Sequence, residues 1–119
     1  MRIISGKFKG TKLFIPSNNE TRPLKDLARE SIFNVLRHSK KFRFKLKNAK
    51  ILDLYSGTGS FGLECLSREA NKVVFVENNN KALRILVKNI SKLKIRTISM
   101  FFICALVFEK ECIKSDTNF

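Results

Sequence analysis

At 119 residues the chain has room for one domain with a modest core, and it is short for a complete doubly wound sheet. Its net charge of +14 points to a polyanion or an anionic surface as partner, and the charge is concentrated: residues 1–50 hold 14 Lys and Arg against 3 Asp and Glu, a balance of +11, against +3 for residues 51–119. Export and membrane spanning are excluded as expectations, because the N-terminus lacks an apolar leader and the Ile98–Phe108 run is about 11 residues where about 20 are needed.

Residues 2–15 mix apolar and basic side chains around Gly6 and Gly10, which predicts a short β-hairpin. Arg2, Lys7, Lys9 and Lys12 surround Phe8, a combination that neutralises phosphates and stacks on a base. A solvated basic face with Phe8 in the core fits the segment equally well. Pro16–Pro23 reads as a loop, and Leu24–Arg37 as an amphipathic helix with Leu24, Leu27, Ala28, Ile32, Val35 and Leu36 near one face. Residues 39–50 form a basic linker whose alternating Phe42, Phe44 and Leu46 suit a strand or a tether. His38, the sole histidine, belongs at a helix C-terminus rather than in general-base catalysis.

The run Ile51, Leu52, Leu54 predicts a buried parallel strand. It breaks into a turn carrying Gly57 and Gly59, and a helix follows through about Glu69. Strand, glycine turn and helix together place a ligand over free backbone N–H groups. A Gly-x-Gly alone is also an ordinary turn, and the next strand shifts the balance. Lys72–Val76 is β-branched and ends in Glu77, about 20 residues past the turn, where a ribose-binding carboxylate belongs. Asp53 before the turn would repel a pyrophosphate and suits a cofactor with a cationic amino group. S-adenosylmethionine fits this pattern and NAD fits it poorly. One of Asn78, Asn79 and Asn80 is expected to cap the next helix, whose stripe of Leu83, Leu86, Val87, Ile90 and Leu93 packs on the sheet. Ile98–Phe108 is expected to return as a third strand. Cys65, Cys104 and Cys112 have no metal-ligand spacing; they read as plain thiols in a reducing cytoplasm, with no metal site.

Arg2-Ile3-Ile4-Ser5-Gly6-Lys7-Phe8-Lys9-Gly10, Thr21-Arg22-Pro23, Arg29-Glu30-Ser31-Ile32-Phe33-Asn34-Val35-Leu36 and Leu52-Asp53-Leu54-Tyr55-Ser56-Gly57-Thr58-Gly59 follow one another as ordered blocks. With Phe61–Arg68, Val76-Glu77 and Lys88-Asn89 they resemble the bacterial small-subunit ribosomal RNA guanine-N2 methyltransferase family. That resemblance implies an α/β, Rossmann-like methyltransferase fold, here incomplete, with an N-terminal hairpin and helix extension. It implies S-adenosylmethionine as methyl donor, ribosomal RNA or the small ribosomal subunit as partner, and action as a cytoplasmic monomer. Asp53, Ser56, Gly57 and Gly59 would line the methionine end, and Glu77 would hold the ribose with Asn78 beside it. Arg22, Arg29, Glu30 and Asn34 would close the site from the N-terminal side, Asn34 joining the cofactor site, while Arg22, Arg29 and the basic hairpin residues Arg2, Lys7, Lys9 and Lys12 would face RNA.

The resemblance divides the chain into an extension (1–49), the first half of the methyltransferase domain (50–95) and a divergent tail (96–119). Family members carry an Asp-Pro-Pro-Phe/Tyr motif that accepts the target amine's hydrogen bonds and stacks on the flipped base. This sequence has prolines only at 16 and 23, so no catalytic residue is assigned. The departure near Arg96 suggests a truncated or frameshifted frame. It leaves a second reading open, a basic RNA-binding fragment without catalysis.

Overall fold

The β-branched run Lys72–Val76 forms the central strand of a three-stranded parallel sheet. In the computed structural model, residues 1–17, 26–41 and 45–95 are described, together with the backbone of 101–104. In chain order the elements are α1 (Asp26–His38), β1 (Lys50–Leu54), α2 (Ser60–Ser67), β2 (Lys72–Val76), α3 (Asn80–Lys92) and β3 (Phe101–Cys104). The sheet order is β1-β2-β3, so each strand lies beside its neighbour in sequence and the crossovers are α2 and α3. The third strand falls inside the Ile98–Phe108 run expected to supply it.

Side chains alternate across β2, and Val73 and Phe75 point into the core with Leu63, Leu86 and Ile90. α2 presses close against this face. A Cβ on Gly62 would lie 2.3 Å from Phe75 Cε1 and 2.8 Å from Val73 Cγ1. Alanine in a helix interior is ordinarily worth about 1 kcal/mol over glycine. Here the methyl meets two wholly buried side chains, and overpacking of this kind costs about 1–3 kcal/mol. Gly62→Ala is therefore expected to lower the thermal midpoint. A rise on thermal unfolding would refute the close approach.

The other sheet face differs from expectation. The sequence predicts a buried β1, yet Leu52 and Leu54 are 59% and 52% exposed while Asp53 between them is buried. On that same face Lys72 and Val76 of β2 are buried, so the cover reaches the central strand and stops short of β1. Among the described residues β1 is also the sheet's edge, so its apolar residues read as core while only one of its two faces is packed.

α1 is likewise rotated from the expected face. Leu27, Ile32 and Val35 are exposed, and Arg29 and Phe33 are buried, with Leu36 half-buried. Phe33 stacks on Phe61 of α2 with ring centroids 5.0 Å apart, and Arg29 reaches the buried Glu64. These contacts fix the rotation; the apolar count along the helix does not. His38 closes α1 as expected, whereas Leu24 and Arg22 lie outside the described residues.

The predicted hairpin is an antiparallel approach with one bridge, Arg2 to Lys12, supported by Ile3 N–H on Thr11 O and Leu13 N–H on Met1 O. Ile3 and Leu13 are buried against α2 and α3, so this segment packs as part of the core. In the linker, Lys45–Ala49 makes a turn, with Ala49 N–H on Leu46 O, and strand geometry starts only at Lys50. Phe42 and Phe44 lie outside the described residues. α2 ends at Ser67, two residues short of the expected Glu69, which takes a left-handed φ of 73°.

Candidate functional site

Parallel strands bring their carboxyl ends to one side of the sheet, and the two acids singled out in the sequence arrive there together. Asp53 lies in register with Phe75, and Glu77 follows directly on β2. The chain between them turns through Tyr55, Gly57 and Gly59, all at positive φ (56°, 57° and 87°). Ser56 ties this turn to the end of β2, its N–H and Oγ both donating to Val76 O (3.0 and 3.4 Å).

Glu77 is held by three backbone donors. Its Oε2 accepts from Gly57 N–H at 2.8 Å, and its Oε1 accepts from Asn78 and Asn79 N–H at 2.8 Å each. Asn79 then caps α3 by accepting from Ala82 N–H at 3.0 Å, one of the three expected candidates. The acid, the glycine turn and the start of α3 therefore form one bonded unit.

Asp53 accepts a single hydrogen bond among the described residues, from Gly62 N–H in the first turn of α2 at 3.0 Å. Burial pushes its carboxyl up to about 6, against the lowering effect of that N–H, and the nearby Glu77 raises it further. No Lys, Arg or His side chain pairs with Asp53 among the described residues. A buried carboxylate at a helix N-terminus without a cation is a site suited to a cationic ligand.

The two glycines have separate physical reasons. Gly57 supplies its N–H to Glu77, whereas a Cβ on Gly59 would lie 2.2 Å from Leu86 Cδ1. Gly59 thus serves the packing of α3 at the turn. Tyr55 is 82% exposed and left-handed, a strained conformation for a non-glycine residue at the mouth of the turn.

The structure brings together Asp53, Ser56, Gly57, Gly59, Glu77 and Asn78. Asn34 is exposed on α1 beside Phe33. Arg29, expected to face RNA, is corrected by its burial: it is wholly enclosed, it donates to Arg2 O and to Asp26 Oδ1 (2.9 Å), and its Nε lies 3.9 Å from Glu64 Oε2. Arg2, Lys7, Lys9 and Lys12 are not buried. Lys7 N–H, however, donates to Ser67 O at 2.7 Å, which puts the hairpin loop at the end of α2 opposite the glycine turn.

Glu64 is the residue the sequence reading missed. It is wholly buried and accepts from Ile4 N–H (2.9 Å), Ser5 N–H (3.0 Å) and Arg68 Nε (2.9 Å). Its signal was a charge set among Phe61, Leu63, Cys65 and Leu66, where a polar residue must be fully satisfied. Asn89 plays a similar part: it accepts from Phe14 N–H and donates to Phe14 O and Thr58 O, joining the extension to the glycine turn. The Cys65 thiol is pushed up to about 12, first by burial and then by Asp53 and Glu64, and is chemically quiet. The described residues contain no group of His, Cys, Asp or Glu able to hold a metal ion, and no helix long and apolar enough to cross a membrane.

The family model described as Conserved hypothetical protein 95 matches residues 1–115. The chain is 36% identical over 94 residues to ribosomal RNA small subunit methyltransferase D of Escherichia coli K12, covering 79% of this chain and 44% of that protein. The Buchnera aphidicola (Baizongia pistaciae) protein of the same name is 34% identical over 98 residues, covering 82% and 47%. Among solved structures, the Escherichia coli protein yhhF, described as a candidate methyltransferase, superposes with a TM-score of 0.68 at 31% identity, covering 86% of this chain and 51% of that one. A hypothetical protein of Thermus thermophilus gives 0.69 at 28% identity, covering 91% and 56%. The fold is an incomplete Rossmann-like methyltransferase fold, and the chain spans about half the length of the curated relatives it matches. A match over nearly the whole chain shows that it belongs to the Conserved hypothetical protein 95 family, and most of its length is similar to the ribosomal RNA small subunit methyltransferase D proteins.

Proposed function

We propose that this chain binds S-adenosylmethionine between the ends of β1 and β2 and serves methylation of a guanine N2 in small-subunit ribosomal RNA. The observation that carries the reading is the buried Asp53, which has no cation partner among the described residues, set beside a Glu77 already oriented by three backbone N–H groups. Bound there, S-adenosylmethionine supplies an electrophilic methyl group on a sulfonium. Asp53 attracts the cationic methionine end, with Ser56, Gly57 and Gly59 shaping that wall. Glu77 is the acceptor for the ribose hydroxyls, and Asn78 stands beside it. The resemblance also assigns Asn34 of α1 to this site. A ribosomal RNA substrate also implies a cytoplasmic place of action.

The basic charge concentrated in residues 1–50, a balance of +11, favours a second reading, in which the chain binds RNA without transferring a methyl group. Two measurements separate the possibilities. Calorimetric titration is expected to show S-adenosylmethionine binding and no NAD binding; the reverse would overturn the cofactor assignment. Incubation of labelled S-adenosylmethionine with small-subunit ribosomal RNA tests transfer, and RNA binding without label would leave the second reading standing.

A further inference from the structure

The strongest feature outside the cofactor site is a cleft of about 740 Å³ at the C-terminal end of α2. The hairpin loop, the end of α1 and the segment 45–47 meet there. Its floor is apolar, made by Phe33, Leu36 and Leu46. Its rim carries Lys7, Arg37, Lys45 and Lys47, all exposed. Two further charges line it, Arg68 and Glu69, and Arg68 is bonded to Glu64 while its guanidinium lies over Phe33. The excess is cationic.

The walls are built before any ligand arrives. Ser67 Oγ donates to Ser5 O at 2.6 Å and accepts from Phe8 N–H at 2.9 Å, and Asn48 N–H donates to Glu69 O at 2.9 Å. Gly6 has a φ of 86°, and a Cβ there would lie 1.9 Å from Ser67 O, so the loop seats on α2 only with glycine at this position. α2 has eight residues, which separates this cleft from the glycine turn by about 12 Å along its axis.

We infer that this cleft binds an unpaired nucleotide of RNA, its base on the apolar floor and its phosphates against the lysine and arginine rim. An apolar floor under several cations matches a base with attached phosphodiesters, and the volume lies within the range of small-ligand sites, about 300–1,000 Å³. The inference rests on the RNA reading above and adds a second contact, remote from methyl transfer, that grips the substrate strand.

The test is fluorescence anisotropy with labelled single-stranded oligouridine, comparing the wild-type chain with Lys45→Glu/Lys47→Glu. A charge-matched control, Arg84→Glu/Lys88→Glu, lies on the outer face of α3. All three are checked by circular dichroism and by S-adenosylmethionine affinity, which the cleft variant should leave unchanged. The cleft variant is expected to lose about tenfold or more in RNA affinity at low salt, and its log–log salt slope to fall by about 1.4, since each phosphate contact on a single strand contributes about 0.7. The control should lose less, and an RNA duplex should compete poorly. Equal losses in both variants would overturn the inference, since general charge would then explain binding. So would displacement of the RNA by polyglutamate as readily as by unlabelled oligouridine. Absence of RNA binding by the wild-type chain would remove the RNA reading itself, a result distinct from loss of the cleft alone.

Discussion

Asp53→Asn is expected to make the ligand-free chain more stable at pH 7 and to abolish its affinity for S-adenosylmethionine. Burial disfavours the charge and pushes this carboxyl up to about 6 in the folded chain, from an ordinary value of 3.8. Ionising the group in the folded chain therefore costs on the order of 3 kcal/mol. Asparagine keeps an acceptor for Gly62 N–H and removes the charge, so a gain of roughly 1–2 kcal/mol survives local rearrangement. Below pH about 4 the group is protonated in both states and imposes no penalty. Between pH 4 and 6 the unfolded chain releases its proton while the folded chain retains it, so this group's contribution to stability declines as pH rises and is lost above about 6. The variant should lack that slope in thermal melts taken across pH 4–7.

Binding runs the other way. A cationic ligand prefers the ionised acid, so wild-type affinity should weaken as pH falls below about 6, approaching about tenfold per pH unit. An Asp53→Asn chain that melts like wild type and binds S-adenosylmethionine equally well would remove the basis for the site. A stabilising change that destroys binding is the expected signature of an acid kept for a ligand rather than for the fold.

What the sequence disclosed follows from how local each cause is. The glycine turn, the acid closing β2 and the asparagine cap of α3 are each set by a few neighbouring residues, and all three stand where they were expected. β2 was legible because its burial comes from both sides of its own ladder. β1 misled because Leu52 and Leu54 signal a packing layer that covers Val76 of β2 on the same face and stops short of β1. α1 misled for a different reason. Its rotation is set by a partner 35 positions away, since Arg29 follows Glu64, and periodicity sees only Leu27, Ile32 and Val35. The same pairing explains why Arg29, basic and near the site in sequence, is unavailable to RNA.

Glu64 carries the second large expected effect. Its two oxygens hold Ile4 and Ser5 of the extension, Arg68 of the following turn and, at 3.9 Å, the buried Arg29 of α1. Arg29 Nε has no hydrogen-bond partner among the described residues, so its charge depends on Glu64 for compensation at that atom. Removing one partner of a buried pair costs about 3–5 kcal/mol, and the lower end applies here because the half-exposed Asp26, 2.9 Å from Arg29, still compensates part of the charge. Against a total stability of about 5–15 kcal/mol for a domain, Glu64→Ala should unfold much of the population or bring it close to unfolding. Glu64→Gln keeps an acceptor but cannot serve donors on both oxygens, and should fall between. Arg29→Met combined with Glu64→Ala should recover part of the loss, since no buried guanidinium then remains; Ile4 and Ser5 N–H still lack their acceptor, so recovery is incomplete. Urea denaturation gives the energies, and hydrogen exchange at the Ile4 and Ser5 amides reports whether the extension has left α2. Single variants of undiminished stability with both amides still protected would show that the extension is held by Ile3 and Leu13 packing, and that the carboxylate joining three parts of the chain is dispensable to it.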